Sequence, residues 1–232
     1  MPAKKPLATK PLSMPPVPAG SPWIDGFLFV GNHPALDLLN TRPALDGQPT
    51  ELLTDFPRLL RWFQAAGLMN PHQARSFQNK WENSPEGRHE VDQLQTFREK
   101  FRKAVVTWED TGNVREGMIP LLNRMLAGSP MLERLSPMVH EPDLARTPQP
   151  RCLILERWFD PQRPSDLMAP IAFFAAQLFA ETDPTRVRQC DHCVLHFLDT
   201  SKKGTRRWCS MQLCGNRFKV AAYAQRQREQ QD

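Results

Sequence analysis

Residues 190–214 begin with Cys190-Asp-His-Cys193 and end with Cys209-Ser-Met-Gln-Leu-Cys214. The two-residue gap in the first pair lets a tight turn aim both thiolates at one metal ion. Fifteen residues separate the pairs, enough for the chain to fold back to the same ion. Tetrahedral zinc with four thiolates at about 2.3 Å suits this pattern and leaves no open position for a substrate. We therefore predict one structural Zn²⁺ site, formed by Cys190, Cys193, Cys209 and Cys214.

Two alternatives compete with this assignment of the cysteines. An iron–sulfur cluster also uses four cysteines, but the many basic residues nearby favour zinc. His192 and His196 lie close to the first pair. Because four thiolates already complete the coordination sphere, these histidines are expected at the surface or around the site. The fifth cysteine, Cys152, lies far away in the chain and is expected to be a buried strand residue.

The residues around the cysteines predict a small zinc module. Residues 197–208 have the pattern of a strand, a polar turn at Gly204 and a returning strand, and the chain after Cys209 has the pattern of a helix. One helix face would pack on the zinc site, and the opposite face would be polar. We predict a treble-clef-like module of β-hairpin and helix over residues 184–232.

Positive charge is concentrated in this module. Residues 186–228 contain ten Lys or Arg against two acidic residues, whereas residues 1–185 contain twenty against twenty-one. Local charge of this kind is typical of a polyanionic partner. Lys and Arg would bind phosphates, and Asn and Gln can pair with adenine edges. The predicted DNA contacts are Lys202, Lys203, Arg206, Arg207, Asn216, Arg217, Lys219 and Arg226. The alternative is a basic face that is simply solvated.

The rest of the chain predicts a mainly helical α+β domain over residues 23–183. Residues 1–22 contain seven prolines and few large apolar groups, which predicts a disordered tail. Strands are predicted over residues 27–30, 132–139 and 152–159. The second and third of these would pair as a hairpin. Helices are predicted over residues 35–41, 55–66, 70–83, 86–110, 116–127 and 166–181.

One polar cluster lies at the start of this domain. Positions 33, 37 and 40 would share a helix face, so the cluster is a candidate site for a small ligand. The competing interpretation is helix capping and buried hydrogen bonding at a strand–helix junction, and we favour it. The candidate ligand residues are Asn32, His33, Asp37, Asn40 and Arg42.

Composition and motifs restrict the functional classes. No apolar run approaches the ~20 residues of a membrane-spanning helix, and the N-terminus lacks the apolar centre of a secretory signal. We therefore expect a cytoplasmic protein without membrane contact. The sequence contains no nucleophile elbow, phosphate-binding glycine loop or HExxH pair, so we do not expect an enzyme.

The run from Arg206 to Arg217, RRWCSMQLCGNR, closely resembles the CGNR zinc finger family, as do Phe197 and Asp199. In that family the finger ends a bacterial protein whose N-terminal domain is called ABATE. Residues 31–42, GNHPALDLLNTR, resemble the start of that domain. The resemblance implies zinc at the four cysteines and a stress-induced transcription regulator. Residues 202–204 depart from the turn that relatives often have, but the charge is kept.

Together these observations predict a DNA-binding regulator. If the polar cluster is a ligand site, the N-terminal domain would also sense a small-molecule effector, and the helical domain is the candidate surface for a homodimer. The alternative is a ligand-binding protein or an enzyme whose zinc module is only structural or docks a protein partner.

Overall fold

The computed structural model describes residues 21–45, 47–128, 131–137 and 153–216. The predicted tail therefore lies almost entirely outside the described residues. The helices are α1 (Pro34–Leu39), α2 (Phe56–Ala65), α3 (Pro71–Trp81), α4 (Pro85–Thr111), α5 (Met118–Gly128) and α6 (Met168–Glu181). The strands are β1 (Trp23–Ile24), β2 (Phe27–Leu28), β3 (Ala44–Leu45), β4 (Gln48–Pro49), β5 (Leu132–Pro137), β6 (Leu153–Trp158), β7 (Val187–Gln189) and β8 (His196–Leu198).

The long helix α4 lies at the centre of the helical domain. It starts with a proline in the first turn, and the Ser84 side chain accepts a hydrogen bond of 2.9 Å from the Gly87 amide. Its apolar stripe includes Leu94, Phe101 and Val105, all fully buried. This stripe packs against α1, α2 and α5, as expected when apolar residues recur at helical spacing.

The predicted α+β class and helices are confirmed, with helix ends shifted by a few residues. Short turns of 3₁₀-helix at Pro164–Leu167 and Pro184–Arg186 precede α6 and β7. None of the helices in the described part of the chain is long and apolar enough to cross a membrane.

Within the described residues, the strands form four separate antiparallel hairpins. The predicted hairpin of residues 132–139 and 152–159 is present as β5 and β6, with Leu135 opposite Leu155. Val139 and Cys152 lie outside the described residues. The predicted strand over residues 27–30 is shorter than expected: only β2 is a strand, and it pairs with β1. Val30 and Gly31 instead leave this hairpin and turn towards the zinc module.

A buried ion pair links α4 to the loop after β4. The Arg98 guanidinium is 1% exposed and forms two hydrogen bonds with the Glu51 carboxylate, at 2.8 and 2.5 Å. It also donates to the Thr41 hydroxyl at 2.8 Å, and Thr41 Oγ1 donates to the Leu38 carbonyl at 2.6 Å. The end of α1 is therefore fixed to α4 through charge-assisted hydrogen bonds.

We predict that Glu51→Gln destabilises the helical domain by about 2 kcal/mol, because the buried Arg98 guanidinium loses one of its two carboxylate partners and keeps only Glu99. Urea unfolding followed by circular dichroism measures this loss. Asp92→Asn removes an exposed acid from the same helix as Arg98 and serves as the control. Equal unfolding free energies for the two variants would contradict the prediction.

Candidate metal centre and its junction with the helical domain

The four predicted ligands come together at one point. Their sulfur atoms all lie within 4.8 Å of one another. The sulfur of Cys209 is 3.7 Å from that of Cys193 and 3.7 Å from that of Cys214. Four sulfurs at about 2.3 Å from a tetrahedral zinc ion would be separated by about 3.8 Å. The cluster therefore has the dimensions of a four-thiolate zinc site.

The four thiols lie close enough together to affect one another's ionisation. Hydrogen bonding to Cys190 raises the pKa of the Cys193 thiol to about 12, and the pKa of the Cys209 thiol is raised for the same reason. Four thiolates at these separations need a positive ion to offset their repulsion. Zinc supplies that charge and binds the deprotonated form, so binding releases protons and weakens at low pH.

A hairpin positions the first two cysteines. In the pairing of β7 with β8, Gln189 is opposite His196, and the Cys190 amide donates to the Leu195 carbonyl at 2.9 Å. Cys190 and Cys193 therefore lie at the tip of this hairpin, where a tight turn directs both sulfurs to one side. Cys209 precedes Ser210, whose hydroxyl accepts from the Gln212 amide at 3.1 Å and caps a single π-helical turn at Met211–Gly215. Cys214 lies within this turn.

The composition of this hairpin corrects one prediction. Residues 205–208 do not form the expected returning strand. The strand β8 pairs instead with β7, which precedes the first cysteine. Sequence pattern alone missed β7 because it is only three residues long. The predicted helix after Cys209 continues into residues 217–232, which lie outside the described residues.

Asp199 organises the polar loop between the cysteine pairs. Its buried carboxylate accepts hydrogen bonds from the amides of Ser201 at 2.9 Å and Arg206 at 2.8 Å. Burial alone would raise the pKa of Asp199, but hydrogen bonds from Ser201 and Arg206 lower it below its ordinary value. Asp199 is therefore ionised at neutral pH and closes the loop through residues 200–205.

Two arginines hydrogen-bond to this loop, Arg186 just before β7 and Arg188 within it. Arg186 donates to the Ser201 carbonyl at 2.7 Å, and Arg188 donates to the Gly204 carbonyl at 3.0 Å. Gly204 has φ of +63°, and a Cβ atom there would lie 2.7 Å from the Arg186 guanidinium. The left-handed backbone favours glycine here, and a larger residue would also have to displace the Arg186 guanidinium.

Arg206 packs inside the module. Its guanidinium donates to the Trp208 carbonyl at 2.8 Å and to the Cys209 carbonyl, and it lies 4.3 Å from the centre of the Phe197 ring. These contacts tie the loop to the backbone of a metal ligand. Arg206 therefore supports the metal centre directly.

The other predicted DNA contacts differ in their surroundings. Lys202 and Lys203 are exposed, and neither forms a hydrogen bond or an ion pair with another described residue. Arg207 is exposed and donates to the Asp191 carboxylate at 2.6 Å. Asn216 is exposed at the end of the described chain. The remaining predicted contacts, Arg217, Lys219 and Arg226, lie outside the described residues.

The two histidines near the cysteines have opposite environments. His192 is exposed, whereas His196 is 1% exposed. Neither belongs to the candidate metal cluster found in the described residues, which consists of the four cysteines. Burial, followed by the charge of Arg102, lowers the pKa of His196 to about 4 despite a contact with the Val194 backbone that raises it. The ring is therefore neutral at physiological pH.

The helical domain docks onto β8 through backbone hydrogen bonds. The buried Asn40 side chain donates to the His196 carbonyl at 2.9 Å and accepts from the His196 amide at 2.9 Å. The Leu198 amide donates to the Gly31 carbonyl at 2.8 Å, and the Asn32 side chain donates to the Leu198 carbonyl at 2.9 Å. Gly31, Asn32 and Asn40 therefore provide hydrogen-bond partners for the backbone groups on the free edge of β8, as a neighbouring strand would.

Apolar contacts extend the same junction. Leu28 and Val30 belong to a small buried cluster with Phe197 and three of the cysteines, Cys190, Cys209 and Cys214. The zinc module thus shares its core with the start of the helical domain. Cys190 and Cys214 are only 4 to 5% exposed, because this shared core shields them from water.

The remaining members of the polar cluster stabilise α1. The His33 side chain caps the helix by accepting from the Ala35 amide at 3.2 Å, and burial lowers its pKa to about 4. The Asp37 carboxylate accepts from the Gly31 amide at 2.7 Å, and burial raises its pKa to about 7. A Cβ atom on Gly31 would lie 2.8 Å from Asp37, so this contact requires glycine. Arg42 differs, because its side chain is 43% exposed.

Comparison with protein families fits both parts of this structure. Residues 32–182, about two thirds of the chain, match the ABATE family, described as "Putative stress-induced transcription regulator". The chain belongs to the ABATE family. Residues 186–227 of this ABATE protein match the CGNR zinc finger, which assigns one zinc ion to the four-cysteine cluster. A search of curated proteins finds no match. The ABATE match begins at Asn32, the residue whose side chain bonds to β8.

We predict that Cys209→Ser abolishes stoichiometric zinc binding, because three thiolates and a hydroxyl cannot reproduce the four-sulfur site. Elemental analysis after dialysis measures one zinc per chain in the native protein and less than one tenth of that in the variant. Cys152→Ser is the control, since Cys152 is not part of the ligand pattern. Retention of full zinc content by Cys209→Ser would exclude this site.

We also predict that Asn40→Ala loosens the junction by about 2–4 kcal/mol, because it leaves the buried amide and carbonyl of His196 without partners. Hydrogen exchange at His196 and Leu198 should accelerate roughly thirtyfold to seven-hundredfold in the zinc-loaded protein, since each 1.4 kcal/mol is a factor of ten. Asn83→Ala, at an exposed position after α3, is the control. Unchanged exchange in Asn40→Ala would show that this pairing does not hold the junction.

Proposed function

We propose that this zinc-containing member of the ABATE family binds DNA and acts as a transcription regulator. The observation that carries the proposal is the loop of residues 199–206. It holds two adjacent lysines in the solvent on a turn that Asp199, Arg186 and Arg188 fix in place. A rigid turn loses little conformational entropy when it binds phosphates.

Charge in the module is divided between two roles. Arg186, Arg188 and Arg206 donate to backbone carbonyls inside the module. Lys202 and Lys203, by contrast, remain exposed on the loop. Arg206 therefore acts in this proposal by positioning the loop, and the lysines contact the phosphate backbone.

Arg207 and Asn216 would extend the contact surface. The ion pair of Arg207 with Asp191 is solvent-exposed, and exposed pairs contribute little, so a phosphate can compete for the guanidinium. Asn216 carries an amide that can pair with a base edge. Arg217, Lys219 and Arg226 follow along the same predicted helix and remain sequence-based candidates for further contacts.

We predict that Lys202→Gln/Lys203→Gln lowers the affinity for duplex DNA at least tenfold at 100 mM salt. It should also reduce the slope of log K against log salt by about 2, because each phosphate contact contributes about 0.9 to that slope. Fluorescence anisotropy with labelled genomic fragments measures both quantities.

The matched control removes two exposed lysines from α4, as Lys100→Gln/Lys103→Gln. It has the same change in net charge and should leave the slope nearly unchanged. If both double variants weaken binding equally, the loop is not the contact surface. If the native protein shows no salt-dependent binding, the zinc module is a structural clasp or a docking site for a protein partner.

Sensing of an effector by the N-terminal domain is the second part of the proposal. Asn32, His33, Asp37 and Asn40 all hydrogen-bond within the protein, which favours a structural role for them. Arg42 is the member of the predicted cluster that remains exposed, and it borders a groove. Homodimer formation and a cytoplasmic location remain predictions from the sequence.

A further inference from the structure

A groove of about 300 Å³ lies where the helical domain meets the zinc module. Its walls come from the segment after α1, from α4, and from the β7–β8 hairpin. The polar residues that line it are Arg42, Glu99, Arg102, Gln189 and His196. Any molecule held there would contact both domains at once.

The charges around this groove leave a cationic excess. Three arginines converge on Glu99: Arg42 at 3.4 Å, Arg98 at 3.1 Å and Arg102 at 3.6 Å. Glu51 provides a second carboxylate, which pairs with Arg98. Of these charged residues, Arg42, Arg102 and Glu99 line the groove, and two positive charges against one negative charge leave an excess of one. A singly charged anion would balance this group.

His196 supplies an unused hydrogen-bonding group at the same place. The residue is 1% exposed, and neither ring nitrogen has a hydrogen-bond partner among the described residues. A buried imidazole without a partner is costly. A neutral imidazole carries one N–H group, which could donate a hydrogen bond to an anionic oxygen.

The other half of the groove is apolar. This wall has no charged group and consists of Pro43, Ala44, Pro49, Val106 and Val194. Such a surface favours a ligand with a hydrocarbon body over a small hydrated ion. The volume is at the lower end of the range for small-molecule pockets. Size and polarity together indicate a small organic acid.

We propose that this groove binds a monocarboxylate with a short apolar body. The carboxylate would lie against Arg42, Arg102 and His196, and the hydrocarbon part would pack on the proline–valine wall. The proposal deepens the effector-sensing part of the proposed function and does not depend on DNA binding. Because His196 also bonds to Asn40, a bound acid would contact the strand that joins the two domains.

The test titrates the full, zinc-loaded chain with acetate, butyrate, hexanoate and benzoate, without DNA. Isothermal titration calorimetry gives the affinities, and NMR follows the ring signals of His196. Affinity should rise with apolar size, and benzoate should bind saturably while shifting the His196 signals. Benzamide and inorganic phosphate should each bind at least tenfold more weakly than benzoate, because one lacks the charge and the other lacks the apolar body.

Two variants separate the contributions. Arg42→Gln should weaken benzoate at least tenfold, and Val106→Trp should abolish its binding by filling the groove. Arg61→Gln, which removes an exposed arginine from α2, is the matched control and should bind like the native protein. Zinc content and circular dichroism verify that each variant is folded.

The absence of saturable binding by any of the four acids would overturn the proposal. So would equal affinities for benzoate and benzamide, or equal effects of Arg42→Gln and Arg61→Gln. These outcomes are independent of the DNA experiment, since a protein that fails to bind DNA can still bind the acid.

Discussion

The paired hydrogen bonds between Asn40 and the backbone of His196 join the two halves of this protein. A buried strand edge must have its amides and carbonyls satisfied. Asn40, Asn32 and Gly31 do so for β8. Because β8 follows directly from the zinc knuckle, the position of the metal site sets the position of α1. The zinc module is therefore part of the folded core as well as an appended finger.

The same junction explains why polar residues are buried where α1 meets α4. Asp37 holds the Gly31 amide, Thr41 and Arg102 bond to the end of α1, and Arg98 connects Thr41 to Glu51. Each group has a partner whose loss would leave a charge or an amide in a region of low dielectric. The network fixes α1 in one orientation, and this orientation also creates the groove beside His196. Docking of the finger and binding of an effector would thus involve the same few side chains.

Much of the fold was predictable from local pattern. Apolar residues at helical spacing, with capping residues and prolines at their starts, predicted all six helices, because these signals act within one or two turns. The pairing of β8 was not predictable, because β7 has only three residues and its partner is determined by the knuckle between them. Similarly, the strand pattern over residues 27–30 ended early, since Gly31 bonds to Leu198 far along the chain.

The sequence by itself determined the zinc ligands, the concentration of positive charge and the family, because each depends on residue type and spacing alone. Tertiary structure decided which of those charged side chains are exposed to solvent. Arg186, Arg188 and Arg206 form hydrogen bonds inside the module, whereas Lys202 and Lys203 remain exposed. It also decided that Asn32 and Asn40 hold β8, and that Arg42 and His196 share a groove. The physical reason is that hydrogen-bond partners and burial depend on how the folded chain brings residues together, which no local pattern contains: Asn40 and His196 are 156 positions apart, and Arg186 meets Ser201 only across the folded loop.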